Sequence, residues 1–312
     1  MPRLLFIGST VADVVVRVPG LPESGDDLPV TSQQVTLGGC AYNAFHTARL
    51  SGLASCALLS PVGTGVWGDF VRRALAARNV VSLVPEVDAP NGCCYCLVEP
   101  GGERTFLCEH GAEYRFRPEW FEQVNLREMD GVYLCGLEVE EATGGVLIDA
   151  LTAAPPVRLY FAPGPRLIHI PPARLAPLFA LAPTLHLNET EALQFTRADS
   201  APEAAAIIRS VTHGDVVITL GEHGCYVLDA TGSALLPAVS TPVADLIGAG
   251  DAHIGAVMAA RAAGLTLVEA AALANRVCAA VVAHAGAELP DGVWPPLLRS
   301  LAHPIQKEES FP

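Results

Sequence analysis

Apolar and polar positions along the chain fall into two rhythms. Leu4, Leu5, Phe6 and Ile7 form an unbroken apolar run that stops at Gly8, and similar short runs recur at 56–60, 131–136, 159–162, 184–187 and 216–220. Runs of this kind predict strands buried on both faces. Between them, 41–53, 68–78, 201–210, 252–263 and 267–284 carry apolar residues at helical spacing, and 225–236 reads as a hairpin. Strands alternating with helices predict an α/β fold: a doubly wound, mostly parallel sheet flanked by helices. Two blocks, 13–37 and 92–116, instead alternate apolar and polar residues between Pro and Gly breaks. They predict exposed antiparallel strands that leave the main sheet and pair as a small β-strand lid hinged over a cleft. Residues 303–312 read as a polar, loosely held tail.

At 312 residues and 51% hydrophobic content the chain can bury a large core, and it reads as a single domain over 1–312. A formal net charge of −14 argues against nucleic acid or an anionic membrane as the main partner. Of the 19 basic residues, Lys307 alone is a lysine. That excludes a Gly-x-x-x-x-Gly-Lys-Ser/Thr phosphate loop and a protein-kinase lysine, so phosphate must be held by backbone amides, arginine or metal. The nine cysteines are odd in number, scattered and mostly set in apolar runs. They suggest buried thiols of a reducing compartment and a cytoplasmic protein. Cys93-Cys94-Tyr95-Cys96 has no second pair at zinc spacing, and the histidines show none either. No basic region followed by a long apolar stretch opens the chain, and no apolar run is long enough to span a bilayer.

The chemistry concentrates in Asp245-Leu246-Ile247-Gly248-Ala249-Gly250-Asp251, which runs straight into the helix predicted at 252–263. Glycines permit a tight turn with uncovered N–H groups, and a helix N-terminus favours an anion there. Asp251 stands beside that site, placed to take a proton from a hydroxyl. A phosphate cradle with an adjacent base suits phosphoryl transfer, whose chemistry is mostly positioning and charge stabilisation. A glycine-rich turn with Asp251 as a cap explains the same residues structurally.

Other constellations carry similar alternatives. Gly38-Gly39 followed by Asn43 suits close approach of a polyhydroxylated ligand, or a plain turn. Asp13, flanked by Val11 and Val14, needs a partner: two sugar hydroxyls or a salt link. Asn188 and Glu191, after the Leu185-His186-Leu187 run, could hold the water shell of Mg²⁺ or form a helix cap. Thr219, Gly221 and Gly224 end another strand, as a nucleotide site or a tight hairpin turn. Arg104 could reach substrate from the lid or lie as an exposed strand arginine. Gly63-Thr64-Gly65-Val66-Trp67-Gly68 matches the dinucleotide pattern Gly-x-Gly-x-x-Gly, but Trp67 is bulky where a pyrophosphate must come close.

Gly38-Gly39 with Asn43, and Asp245 with Gly248-Ala249-Gly250-Asp251, resemble in order and kind the two signatures of the ribokinase/pfkB family of carbohydrate and nucleoside kinases. The resemblance covers essentially the whole chain. It implies a ribokinase-like domain with a β lid and ATP-dependent transfer to a hydroxyl of a small sugar or nucleoside. Asp251 would be the general base, with the amides of Gly248, Ala249 and Gly250 as the anion hole. Asp13, Gly38, Gly39, Asn43, Glu138 and Arg104 would hold the substrate. Asn188 and Glu191 would organise Mg²⁺ through water, while Asn188, Thr219, Gly221, Gly224 and Asn275 would line the ATP site. Members often bind a monovalent cation such as K⁺; Asp245 and the Ile247 carbonyl match its positions, although Leu246 replaces the usual threonine. Cys40, Ala41 and Tyr42 depart from the Lys-Gly-Ala run of ribokinases proper, which points away from ribose toward a neutral sugar or a nucleoside. The net charge leaves a small sugar or nucleoside, with no nucleic acid or membrane, as the expected partner, and the open edges of the lid strands suggest a homodimer through the lid. Two rival readings remain: a non-catalytic sensor of the same fold, and a nicotinamide oxidoreductase built on the glycines at 63–68.

Overall fold

The computed structural model describes residues 1–301 apart from 85, 123, 155–156, 285, 287–288 and 290–291. Lys307 and the tail expected at 303–312 lie outside the described residues. The chain opens with β1 (Arg3–Ile7), β2 (Val11–Arg17), β3 (Ser32–Gly38), α1 (Cys40–Leu50), β4 (Ser55–Leu59), β5 (Val62–Thr64) and α2 (Gly65–Ala77). Then come β6 (Glu86–Pro90), β7 (Cys93–Val98), β8 (Arg104–Glu109), α3 (Pro118–Glu122), β9 (Gly131–Cys135), α4 (Gly136–Glu140) and α5 (Gly144–Ala153). The second half holds β10 (Leu159–Ala162), α6 (Pro172–Phe179), β11 (Thr184–Asn188), α7 (Glu189–Thr196), α8 (Ala201–Thr212) and β12 (Val216–Thr219). It ends with β13 (Cys225–Asp229), β14 (Gly232–Leu236), α9 (Ala249–Ala262), α10 (Leu267–Val282) and α11 (Trp294–Leu301). The short helices α3, α4, α6 and α7 give too few turns for a 3.6-residue pattern to register in the sequence.

The main sheet runs β14-β13-β12-β11-β10-β9-β1-β4. From β12 to β4 every pairing is parallel, and β13 and β14 add an antiparallel hairpin. Its unbroken apolar strands divide by alternation between two helix layers. Leu4 and Phe6 pack with α1, α9 and α10, whereas Leu5 and Ile7 pack with α5, α6 and α8.

A separate sheet runs β3-β2-β7-β8. Two of its pairings are antiparallel as expected, but β2 and β7 run parallel. A long excursion through the main body separates β2 from β7, and parallel neighbours require such a crossover. The second block is also shorter than the expected 92–116. Its last strand stops at Glu109, and Ala112 and Phe116 enter the core of the main body. Val14, Val16 and Val18 gather Val35, Leu97 and Trp67 of α2 on one face of this sheet. The opposite face carries the in-register row Thr36, Asp13, Cys94 and Cys108.

α1 and α9 cross closely in the layer that backs the cleft. A Cβ at Gly255 would lie 2.3 Å from the Ala44 carbonyl oxygen. Gly255→Ala therefore forces the helices apart, and the overpacking cost of about 1–3 kcal/mol outweighs the better helix propensity of alanine, roughly 0.5–1 kcal/mol. Urea unfolding should show a lower midpoint with an unchanged slope.

Candidate active site

α9 starts behind Gly248, whose φ of 73° lies in the left-handed region that glycine adopts without strain. Among the described residues the amides of Gly248 and Gly250 meet no acceptor, whereas that of Ala249 turns onto the Leu246 carbonyl at 3.3 Å. The three amides expected to act together are thus not equivalent. A Cβ on Gly250 would meet nothing within 4 Å. Open space therefore lies over the positive end of a helix, where an anion is favoured.

Asp251 follows in the first turn of α9. Its Oδ2 accepts from Asn43 Nδ2 at 3.0 Å, and the nearby Cys40 thiol adds to the pull that lowers the carboxyl's pKa. Burial pushes Asp251 up to about 7 against the pull of these donors, and the neighbouring Glu138 and Glu191 carboxyls add to the rise. Asn43 Oδ1 is buried without a protein partner among the described residues. Asp13 reaches the same region from β2. Burial raises it to about 7 as well, helped by the charges of Asp251 and Cys108. A Cβ on Gly38 would sit 1.8 Å from Asp13 Oδ2, so glycine is what makes room for this carboxyl. Gly39 is the N-cap of α1 and sets Cys40 and Asn43 within its first turn.

Glu138 lies in α4, just past the end of β9, and is fully buried. Its Oε1 accepts from the Ser9 amide at 2.8 Å, and burial raises its pKa despite that bond. A cavity of about 180 Å³ opens along the Asp13 face of the small sheet, lined by Asp13, Val15, Arg17, Gln34, Thr36, Cys96 and Phe106 and closed by Asp245, Ile247 and Gly286. The larger cavity, about 410 Å³ around α3 and α5, contains none of these residues.

Arg104 does not stand free over this cavity. Its guanidinium pairs with the Asp245 carboxylate, which also accepts from the Ile247 amide at 2.8 Å and the Gly286 amide at 3.0 Å. Arg104 Nε is left without an acceptor among the described residues. The pair joins β8 of the small sheet to the turn that precedes α9.

Asn188, Glu191 and Thr219 gather at the carboxyl ends of β11 and β12, where open α/β sheets bind ligands. Asn188 and Glu191 form a capping box: Glu191 N donates to Asn188 Oδ1 at 2.8 Å and Asn188 N to Glu191 Oε2 at 2.9 Å. Burial raises the Glu191 pKa, and its charge is felt at Asp251. Gly221 and Gly224 flank a single helical turn with φ of 57° and 94°. Asn275 differs most from expectation. Its amide donates to the carbonyls of Leu236 and Pro237, and its Oδ1 faces His253 Nε2 at 3.2 Å. The amide is thus committed to bracing the end of β14 rather than turned out as a ligand donor.

The arrangement sets a carboxyl that titrates near neutrality against amides that welcome an anion, with donors and acceptors for hydroxyls alongside. Comparison with known proteins gives the same direction. Residues 1–292 match the model of the pfkB family carbohydrate kinases. The chain belongs to the pfkB family of carbohydrate kinases. It is 32% identical over 295 residues to the Escherichia coli (strain K12) protein named "Uncharacterized sugar kinase YegV", covering 91% of this chain and 90% of that one. Its fold is similar to that of ribokinase from Thermotoga maritima, with a TM-score of 0.81, 19% identity and coverage of 96% and 99%. It is also similar to that of Arabidopsis thaliana ribokinase complexed with ribose and ATP, at 0.74, 18% and coverage of 96% and 98%.

In this pfkB kinase Gly63 and Gly68 serve packing, and Gly65 takes a φ of 80° at the start of α2. A Cβ on Gly68 would lie 2.0 Å from the Gly63 carbonyl, and Trp67 is committed to the small sheet, packed on its valine face and edge-on to Tyr95 at 6.5 Å. The dinucleotide reading fails for that reason. Among the described residues no helix is long and apolar enough to cross a membrane. Three features of the site had no clear sequence signal. Cys40 reads as one more thiol, the Ser9 contact is a backbone amide, and His253 meets His186 at 2.9 Å across 67 residues.

The raised carboxyls carry a stability signature. The folded state keeps the Asp251 proton up to about pH 7, while the unfolded chain releases it near pH 4, so this group destabilises the fold as pH rises through that interval. Asp251→Asn removes the penalty. Its Tm should match or exceed that of the wild type at about pH 8, with the difference vanishing as pH falls toward 4.

Proposed function

We propose that this kinase transfers the γ-phosphoryl group of ATP to a hydroxyl of a neutral sugar or nucleoside, with Asp251 as general base. The observation that carries the reading is the Asp251 carboxyl, poised near pH 7 between Asn43 and the open end of α9. A base with a pKa near the working pH combines availability with proton affinity. Asp13 and the unpartnered Asn43 Oδ1 accept from the substrate's other hydroxyls, while Glu138, locked by Ser9, fixes the end of β1 against α4. The amides of Gly248 and Gly250 receive the charge that develops on the transferred group. Asp13 and Gln34 with Arg17 offer many hydrogen bonds but one cation, which favours a neutral polyol over a sugar phosphate.

The half-buried Glu191 carboxylate fits a magnesium ion held through water. Asn188 N on Oε2 and Asn188 Nδ2 on Oε1 use one lone pair on each oxygen and leave others for water. Bound there, Mg²⁺ supplies charge neutralisation on the phosphate oxygens. Thr219, Gly221 and Gly224 form the adjoining nucleotide ledge. The Arg104 guanidinium takes the place of a monovalent cation beside Asp245, because it already supplies the positive charge paired with that carboxylate.

Two outcomes test this. Asp251→Asn should lower ATP-dependent phosphorylation of a sugar and nucleoside panel by about two to four decades. In the wild type kcat/KM should rise with pH through about 7, as the base loses its proton. Unchanged turnover in the variant would remove Asp251 from its role. Wild-type activity should not depend on K⁺, whereas Arg104→Ala should lose about tenfold, the worth of one charge-assisted hydrogen bond, and regain part of it as K⁺ is added.

A further inference from the structure

The row of the small sheet that holds Asp13 continues as Cys94 on β7 and Cys108 on β8, paired directly opposite each other. Members of one row share a face, so both thiols lie on the side that carries Asp13. Their sulfurs share a hydrogen bond at 3.4 Å, and Cys108 is exposed. His110 stands two residues along the chain from Cys108 and helps hold its thiol down in pKa, and the His110 Nδ1 lies 2.5 Å from Glu141 Oε1. A carboxylate orienting an imidazole that faces a thiol is the arrangement that activates a sulfur nucleophile. Hydrogen bonds from Cys94 and then His110 bring Cys108 down to about 5, while the bond to Cys108 leads the rise of His110 to about 9. Cys94 keeps its proton through the same bond. None of these groups has a part in the phosphoryl transfer.

We propose that Cys108 and Cys94 are a peroxide-sensitive thiol pair, Cys108 attacking a hydroperoxide and Cys94 closing the disulfide on the ligand-facing side of the small sheet. The Cys108 thiolate attacks one peroxide oxygen, so that S–O forms as O–O breaks. The departing oxygen takes a proton from the His110 imidazolium and leaves as water or an alcohol. The Cys94 sulfur then displaces hydroxide from the sulfenic acid, and its own proton completes a second molecule of water. Two electrons pass from sulfur to peroxide, and a thiol reductant reverses the step by exchange. Directly opposed residues of antiparallel strands have Cα atoms about 4.5–5.5 Å apart, a span that a disulfide bridges without moving the strands. Closing the bridge draws Cys94 away from Asp13. On the sugar-kinase reading, on which this consequence alone rests, the KM for the sugar rises.

At about pH 6, iodoacetamide followed by peptide mass mapping should alkylate Cys108 ahead of the other cysteines, and His110→Ala should slow it by about tenfold or more. Equimolar hydrogen peroxide should yield a linked Cys94–Cys108 peptide in the wild type. Cys94→Ser should stop at a Cys108 sulfenic acid that dimedone traps. Alkylation of Cys108 no faster than of the buried cysteines, or peroxide that leaves both thiols free, overturns the proposal. The oxidised protein should show a sugar KM raised by about threefold or more, restored by dithiothreitol, with Cys108→Ser indifferent. A linked protein with unchanged KM overturns the consequence. Mass reports the bridge without turnover, so a failed kinase reading shows separately, as no ATP consumption by the reduced protein.

Discussion

The contact between Asn43 and Asp251, across the crossing of α1 and α9, is the point on which the rest of the molecule depends. Gly255 lets the two helices approach until backbone meets backbone. That approach brings the first turn of each helix to one place, the amide of Asn43 on one side and the carboxyl of Asp251 on the other. Burial drives such a carboxyl to hold its proton, the Asn43 and Cys40 side chains pull the other way, and the balance lies at about 7. On the proposed role of Asp251 as base, the fold tolerates an unfavourable group because the group is useful when ionised.

The site is acidic within an acidic chain. Asp13, Glu138, Glu191 and Asp251 all have raised pKa values, chiefly through burial. The start of α9 is nonetheless a place where an anion is favoured, because uncovered amides and the helix dipole give positive potential without a basic side chain. Arg104, a positive side chain at this turn, is spent on Asp245 and ties the small sheet to the turn. Charge at this centre is therefore arranged by backbone direction more than by residue type.

The small sheet has two unlike faces. One is a valine surface docked on Trp67; the other presents carboxyl, hydroxyl and thiol groups to the cavity. Strand alternation separates the two sets, and register determines which groups stand side by side. The row Thr36, Asp13, Cys94 and Cys108 draws on four strands, and three of its members lie far apart in sequence.

Much of this was legible in the sequence. Unbroken apolar runs gave the main parallel sheet, alternation gave the strands of the small one, and Gly248 through Asp251 marked a glycine turn that opens a helix. Patterns of period two and 3.6 depend on local burial, which each segment carries within itself. What the tertiary structure alone decided depends on distant partners. The parallel β2–β7 pairing, the commitment of Arg104 to Asp245, the bracing role of Asn275 and the meeting of Cys94, Cys108 and His110 all join remote or unlike segments. A sequence fixes which groups are available, but direction and neighbourhood arise only when packing brings the elements together.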